Sequence, residues 1–150
     1  MLEDFIQANK LSAKLILCAR HVATAQQAAD FMKVPLDCIA KTILIMIDRK
    51  EPVLCIVSGS SKVSGEKLCK LFGAREFRLA SPAEVEEITG YAPGAVPPIS
   101  VYGVPAILDC KLAEKKEIVA GGGSEQHLLK ISPKEILEFA FDAKVEDISD

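Results

Sequence analysis

Two long apolar runs stand out along the chain. Ile39 to Ile47 is β-branched and interrupted only near its start, and Val53 to Ser58 follows after the polar stretch Asp48-Arg49-Lys50-Glu51. Unalternating runs of this length read as strands buried on both faces, and the short polar gap reads as the turn of a hairpin. Shorter apolar runs at Leu15–Cys18, Phe77–Leu79, Val101–Tyr102, Ala106–Leu108, Ile118–Ala120 and Leu128–Ile131 predict further strands. Helical spacing takes over between them. Leu2, Phe5 and Ile6 share one face of a short helix over Leu2–Lys10. Thr24 with Gln27 forms a capping-box pattern for a helix running to about Lys33, which Val34-Pro35 stops. Ser64 opens a helix that Gly73 ends. Ser81-Pro82-Ala83-Glu84 combines an N-cap, a proline at N1 and a glutamate at N3, and Gly90 closes that helix. Ser132-Pro133-Lys134-Glu135 repeats the signature before Leu137 and Phe139. Tyr91–Pro98 is a Gly/Pro loop. Many strands, hairpin-length turns and little strict β-α alternation predict an α+β fold on a compact mixed sheet, not a doubly wound one.

Composition changes this picture little. The 150 residues are 49% hydrophobic and 26% charged, which fits one globular domain over 1–150 with a core of its own. Charges interrupt every apolar run short of membrane-spanning length, and the acidic Met1-Leu2-Glu3-Asp4 start lacks the pattern of a signal peptide. The expectation is a cytoplasmic protein without a membrane partner. A net charge of −3 lacks the basic excess of a duplex DNA binder, and 5% aromatics with no Trp provide no stacking platform for single strands. Any nucleic-acid contact is therefore local or shared with a partner. The five cysteines, Cys18, Cys38, Cys55, Cys69 and Cys110, show no C-x-x-C spacing and sit among apolar neighbours, as reduced structural thiols do.

Chemistry enters first at Lys41. In a strand it shares a face with Ile39, Ile43 and Ile45. An ammonium among apolar side chains costs free energy unless it is paired or reaches a cleft. Such a lysine serves as an anion clamp or a proton-transfer group; a strand-end lysine snorkelling to water is the structural alternative. Gly94-Ala95-Val96-Pro97-Pro98 joins a free backbone to stiff prolines, which suits N–H groups aimed at a developing oxyanion, or else an ordinary surface turn. Gly121-Gly122-Gly123-Ser124 follows a strand but opens no helix, so it lacks the context of a nucleotide phosphate loop. It permits close approach to a ligand or makes a hairpin turn. His21 and His127 belong to no cluster with metal-ligand spacing, so no metal and no cofactor are predicted. Ser58, Ser60, Ser61 and Ser64 lack the context of a serine nucleophile. Lys62, Lys67, Lys70, Arg75 and Arg78 form either a phosphate-facing patch or a solvated helix face.

Taken in order, the Ala40-Lys41-Thr42-Ile43 strand start, Thr89-Gly90-Tyr91, the Gly94 to Pro98 loop, Ile107-Leu108-Asp109 and the triple-glycine turn resemble the YbaK/EbsC family of prolyl-tRNA synthetase-associated editing domains. The resemblance spans nearly the whole chain. It implies a barrel-like mixed sheet with peripheral helices, and hydrolysis in trans of the ester in a mischarged aminoacyl-tRNA. It implies Lys41 and Gly94 as catalytic residues. It places Thr42, Pro98, Gly122 and Gly123 around the substrate; Thr24 and Ala95 are further candidates for the pocket lining, and His21, just before the Thr24 cap, either borders the pocket or is a structural histidine. The implied partners are the acceptor end of aminoacyl-tRNA, with tRNA for proline a candidate, and an aminoacyl-tRNA synthetase; the implied amino acids are small ones, Ala, Cys or Ser. The chain departs from the family pattern at Ala95 and Pro97, where Gly and Ser are frequent, and Pro97 removes one N–H from the loop. A non-catalytic module that docks on tRNA or on a synthetase, and a hydrolase of other small acyl esters, are the competing expectations.

Overall fold

Five of the six helices start on a side chain that caps the first turn: Thr24, Ser64, Ser81, Asp109 and Ser132 each accept a backbone N–H there. Capping is chemistry within one turn, which is why most of these starts follow from sequence. The computed structural model describes all residues from Met1 to Asp150. Its elements in chain order are α1 (Leu2–Ala8), β1 (Lys14–Leu17), α2 (Ala25–Met32), β2 (Ala40–Ile47), β3 (Glu51–Ser58), α3 (Gly65–Phe72), β4 (Phe77–Leu79), α4 (Pro82–Thr89), β5 (Ala106–Asp109), α5 (Cys110–Ala113), β6 (Ile118–Gly121), β7 (His127–Ile131), α6 (Pro133–Phe139) and β8 (Lys144–Glu146).

The two long apolar runs form the expected hairpin. β2 and β3 pair antiparallel from Ala40 with Ser58 to Ile47 with Glu51, and Asp48 and Arg49 turn the chain with positive φ. Both faces of the hairpin are covered. Ala40, Leu44, Leu54 and Ile56 pack into the main core, whereas Ile45, Ile47, Val53, Cys55 and Val57 pack under Leu68 of α3. Burying each such aliphatic side chain contributes about 1.5–3 kcal/mol. The hairpin lies within a five-stranded sheet of order β4-β2-β3-β5-β8, in which β5 runs parallel to β3 and β8 parallel to β5.

A second sheet, β1-β7-β6, is antiparallel throughout. A bridge between Ile39 and Val119 joins the two sheets. The mixed α+β class therefore holds, but the sheet splits in two where a single barrel-like sheet was expected, and no barrel closes. The Val101–Tyr102 strand does not form either. Ser100 takes φ 65, which breaks the extended run, and Tyr102 is left exposed, edge-on to Phe5. Thr89-Gly90-Tyr91 acts as a strut. The Thr89 hydroxyl donates to Val85 O (2.6 Å) and accepts from Tyr91 N–H (3.1 Å), and the Tyr91 hydroxyl reaches Ser100 Oγ at 3.0 Å. This ties the end of α4 to both ends of the Gly94 loop.

Candidate active site

The start of β2 faces the second sheet, and a cavity of about 270 Å³ opens between them. Val22, Ala28, Ile39, Val96, Ala120 and Leu128 make its apolar walls. Polar chemistry comes from Thr24, Lys41, Thr42 and the backbone around Gly94.

Lys41 is half-buried, and its Nζ donates to the carbonyl of Ser61 at 2.6 Å. No carboxylate pairs with it. Burial, and after it the charge of Lys62, push its pKa below the ordinary lysine value. The ammonium is thus partly stripped of water and held by one neutral acceptor, which leaves donors free for an anion. Thr42 follows it along the strand. Its Oγ1 is buried and has no hydrogen-bond partner, the one buried side-chain polar atom in the protein left so. An unsatisfied buried hydroxyl costs about 1–3 kcal/mol; Thr42 belongs to the cavity lining, but this oxygen is closed off from the open space.

The Gly94 loop forms one rim. Gly94 has φ 82, and a Cβ there would stand 3.0 Å from Ala23 O. Ala95 N–H is tied to Ala92 O at 3.0 Å, but the N–H groups of Gly94 and Val96 donate to no protein acceptor. Pro97 and Pro98 are buried away from the cavity, so the N–H that Pro97 lacks is not taken from its lining. Across the rim, α2 begins at Thr24, whose Oγ1 accepts from Gln27 N–H at 3.1 Å while Gln27 Oε1 accepts from Thr24 N–H.

The structure brings Lys41, Thr42, Thr24 and Gly94 together in this cavity. Other expected residues lie elsewhere. Ala95 is buried behind the loop, and its carbonyl accepts from Gly123 N–H at 2.9 Å. His21 is outside the lining and pairs with Glu125 at 3.2 Å on an exposed surface. Gly122 and Gly123 face a separate depression with Tyr91, Ser124 and His127, and it is Gly121 that lines the cavity. Within the turn expected to approach a ligand, the resemblance pointed to Gly122 and Gly123 and not to Gly121, and the apolar wall carried no signal in the sequence. Gly121 shares its tripeptide with two glycines that serve other ends, and Val22, Ala120 and Leu128 look like any core residues.

The remaining reactive groups stay apart from the cavity. Burial raises the thiols of Cys18 and Cys55, Cys55 to about 12, so neither is a nucleophile at neutral pH. Asp109, Cys110 and Asp147 cluster, but the fully buried Asp109 carboxylate already accepts from Ile148 N–H and Ser149 Oγ. No helix is long and apolar enough to cross a membrane.

Fold and cavity together define an α+β domain with a small, mostly apolar pocket beside a lysine. Comparison with known proteins makes the assignment sharper. The family described as the aminoacyl-tRNA editing domain matches residues 19–139, and the chain belongs to that family. It is 32% identical over 120 residues to the uncharacterized protein YwhH of Bacillus subtilis, covering 79% of this chain and 76% of that one. It is 33% identical over 111 residues to the proline–tRNA ligase of Nitratidesulfovibrio vulgaris, covering 73% of this chain but 19% of the ligase, so it spans about a fifth of that relative. Among solved structures, it superposes on a protein proposed as a trans-editing enzyme for prolyl tRNA synthetase with a TM-score of 0.83 and 32% identity, over 92% of this chain and 87% of that one. The hypothetical protein APE2540 matches with a TM-score of 0.92 and 31% identity, over 99% of both chains.

Proposed function

We propose that the protein is a deacylase that acts in trans on mischarged aminoacyl-tRNA bearing a small amino acid, Ala, Cys or Ser. The observation that carries this reading is the meeting of Lys41, Thr42 and the Gly94 loop in one small apolar cavity. At about 270 Å³ it lies just below the usual range for small-molecule pockets, which favours a small side chain over a large one. Volume is a coarse filter. One methylene changes selectivity by about 10–200-fold, so a second, smaller site adds discrimination that a synthetase site alone does not reach.

The ester of an aminoacyl-tRNA is already activated, so positioning and charge stabilisation suffice. Water attacks the carbonyl carbon; the new C–O bond forms as charge moves to the carbonyl oxygen. The N–H groups of Gly94 and Val96, which have no protein acceptor and belong to residues of the cavity lining, are the donors we assign to that charge. Collapse breaks the ester C–O bond, and the departing ribose oxygen takes the proton that the attacking water gives up. Lys41 acts as a cation that holds the substrate in register, since a general-base role would require it to lose its proton first. A rotation of the Thr42 side chain would bring Oγ1, otherwise closed off without a partner, to the bound aminoacyl group. A synthetase partner would supply the tRNA affinity that a net charge of −3 does not.

The test is a deacylation panel. tRNAs for proline, alanine and threonine are mischarged with Ala, Ser or Cys and incubated with the protein, alone and with prolyl-tRNA synthetase. The reading predicts fast loss of at least one ester. Stable esters throughout, with folded protein and with synthetase present, would reject it in favour of a binding module.

A further inference from the structure

The basic residues from Lys62 to Arg78 do not form one patch. Lys67 is paired with Asp147 at 2.9 Å, and Arg78 with Glu84 at 2.7 Å. Arg75 sits at the hairpin tip, where its N–H donates to Asp48, the far end of β2 from Lys41. Lys62 is different. Like Lys70 it is exposed and has no carboxylate partner, but it directly follows the residue whose carbonyl holds Lys41 Nζ at 2.6 Å.

Its backbone is fixed from the other side. Lys62 O accepts from Asp150 N–H at 3.0 Å, Val63 bridges to Ser149, and Ser64 N–H donates to Ile148 O at 2.7 Å. Lys62 does not itself line the cavity, but its backbone is fixed one residue from the carbonyl that holds Lys41 Nζ, and neither lysine has a carboxylate within ion-pair distance. That arrangement opposes folding by mutual repulsion, and an anion placed between them would relieve it. The lowering of Lys41 by the Lys62 charge is the same repulsion seen from Lys41.

We infer that Lys62 is a second cation of the site, binding together with Lys41 a phosphate at the nucleic-acid end of the substrate. This rests on the reading of the cavity as the seat of an aminoacyl group. With that group inside, the terminal nucleotide lies at the mouth, and its phosphodiester is the anion within reach of both lysines. Lys41 also borders the reacting ester; Lys62 contributes to holding the nucleotide only.

The experiment compares wild type with Lys62→Gln and Lys62→Arg, in binding and in turnover. Binding is measured by fluorescence anisotropy with an acceptor-stem RNA carrying alanine on its 3′ end through a stable amide. Lys62→Gln is expected to weaken binding about 10-fold at low ionic strength, to lower the slope of log affinity against log salt by about 1, and to recover with Lys62→Arg. In turnover it is expected to raise KM for aminoacyl-tRNA with little change in kcat, and to leave hydrolysis of 3′-alanyl adenosine, which has no 5′ phosphate, as in wild type. Unchanged RNA affinity and salt slope would overturn the inference, and so would an equal loss on adenosine ester and RNA. Because binding to the stable amide needs no catalysis, a wild type that hydrolyses nothing counts against the deacylase reading and not against Lys62.

Discussion

The two glycine-bearing loops look equivalent in sequence and are not equivalent in the fold. In the Gly94 loop, glycine serves a surface: φ 82 turns the chain at the cavity rim, and the N–H groups of Gly94 and Val96 are left without protein acceptors. In the Gly121–Gly123 turn, glycine mainly serves packing. A Cβ on Gly121 would stand 2.5 Å from Val96 O, and one on Gly122 would stand 2.5 Å from the His127 backbone. The second loop is the backing plate of the first, since Gly123 N–H donates to Ala95 O. A glycine thus marks a site only where its freed backbone meets open space.

Substitutions can break or sharpen this contrast. Gly94→Ala forces a side chain onto a positive-φ residue and against Ala23 O, shifting the rim. Deacylation is expected to fall about 10²-fold, the scale of a misplacement near 1 Å, with a loss of stability of about 1 kcal/mol that leaves the protein folded. A single-turnover assay beside a denaturant melt reads both. Gly122→Ala should do the reverse. Overpacking against His127 is expected to cost about 1–3 kcal/mol of stability, while the rate per folded molecule stays near wild type. If both variants lose rate and stability alike, the contrast fails.

Thr42→Val keeps the shape of the cavity wall and removes the unpartnered hydroxyl. The unfolding midpoint should hold or rise, and the deacylation rate should drop about fivefold, as for one neutral hydrogen bond. A rate equal to wild type would take the hydroxyl out of substrate contact. The smallest effect concerns the helix that leads into the Gly94 loop. The Arg78 guanidinium, and then the Ser81 N–H, hold Glu84 down at about 2, against 4.5 ordinarily. Its folded-state pKa is depressed, so its contribution to stability is complete above pH 4.5 and fades as pH falls toward 2. Glu84→Gln should melt lower than wild type at pH 7, and the gap should narrow steadily below pH 4.5. A gap that stays constant over that range would detach this pair from acid stability.

Much of the fold was legible because its determinants are local. Thr24, Ser64, Ser81 and Ser132 cap their helices within one turn, and the β2–β3 hairpin follows from two β-branched runs around a polar turn. β8 was not legible: Lys144, Val145 and Glu146 are a short, mostly exposed edge strand placed by a distant parallel partner, β5. The division into two sheets hangs on the same kind of non-local pairing. At the site, Lys41 announced itself as a charge inside an apolar run. The orphaned hydroxyl of Thr42 and the choice of Gly121 over Gly122 depend on what stands opposite them, which chain order does not carry.

The most direct measurement is the single-turnover deacylation rate of Lys41→Ala against wild type on whichever small aminoacyl-tRNA the panel shows to be hydrolysed, with folding checked by a melt. Loss of about 10²-fold or more in a folded variant is the predicted result, the scale of one removed transition-state contact. A folded Lys41→Ala protein turning over at the wild-type rate would contradict the assignment of this cavity as the place where the ester is cleaved.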